Sequence, residues 1–80
     1  MKVTLKMPRV SMNMEEGTVT LWRKQPGEHF ASGEILYEIE TEKATSEVEA
    51  PCDGVMLDHL AAEGDEVAVG DPVCRIDTTT

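Results

Sequence analysis

Eighty residues allow one small domain, because a chain this short buries only a modest core. Sixteen acidic against seven basic residues give a net charge of −9, which argues against a nucleic-acid partner, since phosphate backbones need a cationic surface. No run approaches the roughly 18 apolar residues of a membrane-spanning helix, and the opening alternates charged and apolar residues instead of forming a secretory h-region, so no membrane partner is expected.

In chain order, residues 2–7, 17–22, 35–41, 44–50, 55–59 and 72–77 read as short strands bounded by Gly or Pro signals. Alternation is clearest where Ile35, Tyr37 and Ile39 interleave with Glu38 and Glu40, and where Val3 and Leu5 interleave with Lys2, Thr4 and Lys6. Short pieces near 28–30 and 66–68 bring the count to eight. The inward set is Val3, Leu5, Val19, Ile35, Tyr37, Ile39, Val48, Met56, Val67, Cys74 and Ile76. Trp22 reads as a partly buried structural aromatic and Cys74 as a packing residue. Residues 58–63 could imitate one helical turn, but the repeat described next makes them strand and loop. Cys52 and Cys74 form no CxxC, and neither they nor His29 and His59 show ligand spacing, so reduced thiols and no metal site are expected.

A shift of 37 residues lays the chain on itself. Gly17, Gly27, Gly33, Ile39 and Thr41 fall on Gly54, Gly64, Gly70, Ile76 and Thr78. Glu28, Glu34 and Glu40 fall on Asp65, Asp71 and Asp77, and Val19, Phe30 and Leu36 on Met56, Val67 and Val73. Before Gly17 the shift becomes 43, so that Pro8 falls on Pro51, and the first half therefore carries six extra residues within 9–16. Glycines at three equivalent turns argue for two copies of one unit. The expected fold is all-β: a flattened barrel or sandwich of two four-stranded antiparallel sheets with quasi-two-fold symmetry. Residues 1–80 form one domain, in half-repeats of about 1–42 and 43–80, with 78–80 read as the start of a linker.

Between the strands that end at Thr41 and begin at Ala44 only Glu42 and Lys43 remain, which makes a tight hairpin with Lys43 at its tip. In the correct register Lys43 has no counterpart in the first half. The segment Glu40-Thr41-Glu42-Lys43-Ala44 resembles the lipoylation motif of the acyltransferase components of 2-oxo-acid dehydrogenase complexes, with an acidic residue before the lysine and Ala after it. Gly27 and Gly54, 16 residues before and 11 after Lys43, match the family's glycines. The opening from Met7 to Val19 and the run from Ile35 to Thr41 also resemble the family, and the likeness covers about residues 3–77. Biotinyl carrier domains share this fold but place their lysine between methionines, so Glu42 and Ala44 favour lipoate. The alternatives are a biotinyl carrier and a lipoyl-like interaction module with no modified lysine.

The resemblance implies a monomeric carrier domain without an active site of its own, bearing lipoic acid on Lys43, with Glu40, Glu42, Ala44, Gly27 and Gly54 as the recognition residues around it. The implied partners are a lipoate ligase or lipoyl transferase, a thiamine-dependent decarboxylating dehydrogenase, an acyltransferase core and a dihydrolipoamide dehydrogenase. The implied location is the cytoplasm, or the mitochondrial matrix in a eukaryote. An arm of about a dozen bonds at ~1.5 Å each reaches on the order of 14 Å, enough to visit separate sites at high effective concentration. Glu40, Glu42, Glu47 and Glu49 favour the charged ammonium, which makes Lys43 a poor Schiff-base nucleophile, and they suit docking to a basic rim. The insertion within 9–16 is expected beside the Lys43 turn, where Met12 and Met14 either offer apolar contacts for the dehydrogenase or divide into one inward and one exposed methionine, the second reading being slightly favoured.

Overall fold

A computed structural model describes residues 1–10, 12–42 and 44–78. The described residues form eight strands and no helix: β1 (Lys2–Lys6), β2 (Glu16–Trp22), β3 (His29–Phe30), β4 (Ile35–Glu40), β5 (Thr45–Glu49), β6 (Gly54–His59), β7 (Glu66–Ala68) and β8 (Pro72–Thr78). They pair antiparallel into two four-stranded sheets, ordered β1-β8-β6-β3 and β5-β4-β2-β7. Replacing each strand by the one four places along converts one order into the other, so the sequence repeat is the symmetry of the fold.

That symmetry extends to single hydrogen bonds. The Gly27 amide donates to the Met56 carbonyl at 2.7 Å, and the Gly64 amide to the Val19 carbonyl at 2.6 Å. Met7 donates to Asp71 at 2.8 Å as Ala50 does to Glu34 at 2.7 Å. Gly27, Gly33, Gly64 and Gly70 are all at φ between 89 and 95°, a region open to glycine and costly to other residues. The repeated acidic positions also have a local cause. Glu28 accepts a bond from the Gln25 amide at 2.7 Å and Asp65 one from the Ala62 amide at 2.9 Å, so each carboxylate closes its turn.

The core lies between the sheets. Val19, Leu36, Ile39, Met56, Val73, Cys74 and Ile76 are fully enclosed, and Tyr37 almost so. Strict alternation of inward and outward residues breaks at two places. Leu36 and Tyr37 are both buried, as are their repeat mates Val73 and Cys74. The β4·β5 register slips between Ile35 and Tyr37, and in β1·β8 Leu5 opposes Cys74 while Lys6 opposes Pro72, leaving Val73 extra. A bulge of one residue turns two neighbours to the same face. In exchange, Val3, Leu5, Ile35 and Val48 are only half-buried, because the edge strands β1 and β5 and the start of β4 are covered on one side alone. Met7, Met14, Phe30, Ala50 and Ala61 complete the core from strand ends and loops.

Trp22, 6% exposed, is more enclosed than expected. Its ring stacks on His59, its own repeat mate, with centroids 3.7 Å apart and planes 9° from parallel. The indole Nε1 donates to the Ala61 carbonyl at 3.0 Å, and His59 Nε2 lies 2.8 Å from the Lys24 carbonyl. Residues 58–63 are strand and loop as expected.

Thr78 pairs with Gly54 and Gly54 with Phe30, whose loop leads to the start of β4. Glu40, at the far end of β4, pairs with Thr18, which pairs with Glu66 of β7, and β7 leads to the start of β8. Met1 and Thr78 therefore sit together at one end of a body 34 Å long, and the β4–β5 turn at the other. Of residues 78–80, read as the start of a linker, only Thr78 is described.

Candidate functional site

The β4–β5 hairpin forms because two alternating segments meet across a very short connection. Glu40 pairs with Thr45. Beyond that pair the Ala44 carbonyl accepts two bonds from Thr41, one from the amide at 2.8 Å and one from Oγ1 at 3.1 Å. The bonded residues 41 and 44 are separated by two residues in the sequence, as a tight hairpin connection needs. Lys43 itself lies outside the described residues. Its frame is described: Glu40, Glu42, Ala44 and Thr45 are exposed and Thr41 is half-buried.

The inserted loop lies beside this hairpin, as its place in the chain predicts. Its two methionines divide their roles. Met14 is buried at 4% exposure and its Sδ accepts the Val10 amide at 3.3 Å, while Met12 is 87% exposed. Within the loop Arg9 Nη1 donates to the Met12 carbonyl at 3.3 Å, and the Val69 amide donates to the Glu15 carbonyl at 2.9 Å, which ties the loop's end to the segment after β7. Between loop and hairpin runs a cleft of about 590 Å³ lined by Met12, Met14, Glu16, Glu40, Glu42 and Glu66, among others. Glu66 was not singled out from the sequence. The pairing of β7 with β2 brings it here, and the repeat carries the signal, since β7 joins β2 as β3 joins β6. The neighbouring Glu66 carboxylate raises the Glu16 pKa above its usual 4.5, chiefly by charge repulsion and by the hydrogen bond between the two.

Gly27 and Gly54 stand away from the hairpin, and each has a backbone reason to be glycine. Gly27 holds φ +94 in the turn after β2. A Cβ on Gly54 would lie 2.6 Å from the Asp77 carbonyl oxygen, where β6 passes β8 beside Thr78. The remaining candidates are also placed. His29 is exposed on β3, and His59 is held in the Trp22 stack. Cys52 is half-buried, and burial pushes the Cys74 thiol up to about 12. Among the described residues no group of three or more His, Cys, Asp or Glu is placed to hold a metal ion. What the site offers is an exposed, cross-bonded turn flanked by carboxylates and a methionine-bearing loop.

Residues 3–76 match the sequence profile of the biotin/lipoyl family, described as "Biotin-requiring enzyme". Over 76 residues the chain is 42% identical to the dihydrolipoyllysine-residue succinyltransferase component of the 2-oxoglutarate dehydrogenase complex of Cupriavidus necator, covering 95% of this chain and 18% of that one. It is 38% identical over 76 residues to the dihydrolipoyllysine-residue acetyltransferase component of the acetoin cleaving system of Bacillus subtilis, covering 95% of this chain and 19% of that one. The chain thus spans about a fifth of the length of these curated relatives. The solution structure of the lipoyl domain of the 2-oxoglutarate dehydrogenase complex of Azotobacter vinelandii superposes with a TM-score of 0.79 at 33% identity, over 98% of this chain and 99% of that one. A single-chain, multi-domain long-chain acyl-CoA carboxylase contains the same fold, with a TM-score of 0.81 at 24% identity, over 99% of this chain and 7% of that one.

Proposed function

Since the chain belongs to the biotin/lipoyl family and is a lipoyl carrier domain, of the kind that binds lipoic acid covalently on a lysine, we propose that Lys43 is its attachment residue. The observation that carries this is the turn itself: exposed flanks at Glu42 and Ala44, closed by the double bond from Thr41 to the Ala44 carbonyl. The residues present fit the group. A flexible acyl chain needs no pocket to be held covalently; it needs an amine that an enzyme can reach and a fixed point to swing from.

Held on Lys43, lipoic acid would supply a dithiolane able to carry an acyl group as a thioester together with a pair of electrons. The chain's own contribution is placement. The paired strands β4 and β5 fix the root of the arm, and the small Ala44 side chain leaves the approach open. The acidic rim of Glu40 and Glu42 favours partners with basic surfaces, and Met12 adds an adaptable apolar contact beside it. In this reading the domain acts as a carrier, the cofactor bringing the chemistry and the chain its placement.

The partners in this reading are a lipoate ligase or lipoyl transferase, a thiamine-dependent decarboxylating dehydrogenase, an acyltransferase core and a dihydrolipoamide dehydrogenase. The names of the relatives support membership of a complex of this class, working on a 2-oxo acid or on acetoin. A cytoplasmic setting accords with the two free cysteines. The test is co-expression with a lipoate ligase or, separately, with a biotin ligase. One lipoyl adduct by intact mass and no streptavidin signal is expected; a biotin adduct, or no adduct under an active lipoate ligase, would refute the reading.

A further inference from the structure

We propose that Thr41 is a positioning residue for the modification of Lys43, its hydroxyl fixing the hairpin conformer that the attaching enzyme binds. The inference rests on Lys43 being the attachment residue. Of the two bonds that Thr41 gives the Ala44 carbonyl, the amide bond at 2.8 Å is available to any residue except proline at 41. The bond from Oγ1, at 3.1 Å, is not. A β-branched side chain has few χ1 states, so the hydroxyl is held where it bonds across the turn at little entropic cost. An enzyme that acts on a turn of two residues must find it in one shape, and its apparent affinity falls with the fraction of molecules in that shape. The hydroxyl raises that fraction without touching the reacting amine.

The fold contains its own control. At the opposite end Thr78, the repeat mate of Thr41, makes the same pair of bonds to the Met1 carbonyl, from its amide at 2.8 Å and its Oγ1 at 3.3 Å. The same residue type makes the same contact there, but residues 1 and 78 bracket no two-residue turn. A purely structural hydroxyl would matter equally at both ends. A positioning hydroxyl matters for modification at one end only.

The experiment compares wild type, Thr41→Val, Thr41→Ser and Thr78→Val in the full chain, measuring initial rates of lipoylation against domain concentration. Thr41→Val is expected to raise KM about 2- to 10-fold, the equivalent of one modest hydrogen bond, with kcat within about two-fold. Thr41→Ser, which keeps the hydroxyl but not the β-branch, should recover most of the wild-type KM, and Thr78→Val should leave KM unchanged while lowering Tm about as much as Thr41→Val does. Labelling of Lys43 by a small acylating reagent, which reads no turn shape, should be the same in all four. A wild-type KM in Thr41→Val, an equal rise in Thr78→Val, or failure of serine to rescue overturns the role of Thr41. A wild-type chain that is never modified at Lys43 overturns the underlying reading as well, so the two failures are told apart.

Discussion

Gly54 and Gly27 both match family glycines, but for different physical reasons, and mutation separates them. Alanine at Gly54 drives a Cβ to 2.6 Å from a backbone carbonyl that cannot rotate away, so β6 must leave β8. Alanine at Gly27 meets nothing within 4 Å and carries only the cost of its positive φ. Gly54→Ala should cost about 3 kcal/mol and Gly27→Ala about 1–2 kcal/mol, read by urea denaturation. Cys74 gives a second residue-scale prediction. With its thiol pushed up to about 12, its thiolate fraction at pH 8 is on the order of one in ten thousand, so a thiol reagent should react quickly with Cys52 and reach Cys74 only on unfolding. The sign of the pH effect follows. The unfolded thiol ionises first, near 9, while the folded one holds its proton, so this contribution to stability is whole below pH 9 and is lost as the pH rises toward 12. Burial raises the Tyr37 pKa in the same direction and adds to the alkaline loss.

Among the strands, the contact of β2 with β7 places Glu16 against Glu66, and the pair is repulsive at neutral pH. A carboxyl whose folded pKa is raised destabilises above that pKa and is relieved as the pH falls through it. Glu66→Gln should therefore lower the Glu16 pKa in an NMR titration and raise Tm slightly at pH 7, with the gain vanishing in acid. This strand contact also marks where sequence reading weakens. The eight strands, each to within a residue at either end, follow from alternation and Gly or Pro punctuation, but facing does not. Leu36 and Val73 sit in bulges, where a period of two fails, and a bulge leaves no mark in residue types. Their shared place in the repeat was the one available hint. The hairpin clamp was equally hidden, because Thr41 reads as an ordinary strand end until its hydroxyl is seen on the Ala44 carbonyl. Met14 was ambiguous for a related reason, since a loop has no period to say which of two methionines faces in.

Across the whole molecule the duplication dominates. It makes the two sheets interchangeable, stacks Trp22 on its mate His59, and sets the β4–β5 turn and the Met1–Thr78 contact at opposite ends. The same duplication singles out the candidate site in the sequence: one junction joins the two halves, and the proposed attachment residue stands on it. With Lys43 as the attachment residue the arm would leave from the pole opposite Met1 and Thr78, so a fusion beyond Thr78 should leave modification untouched. The central claim is that Lys43, and no other lysine, bears lipoic acid. Peptide mapping by mass spectrometry after lipoylation tests it most directly, because Lys2, Lys6 and Lys24 are present in the same chain as internal competitors. The adduct should appear on the peptide containing Lys43 alone and be absent from Lys43→Arg; an adduct on any other lysine, or one that survives Lys43→Arg, would contradict it.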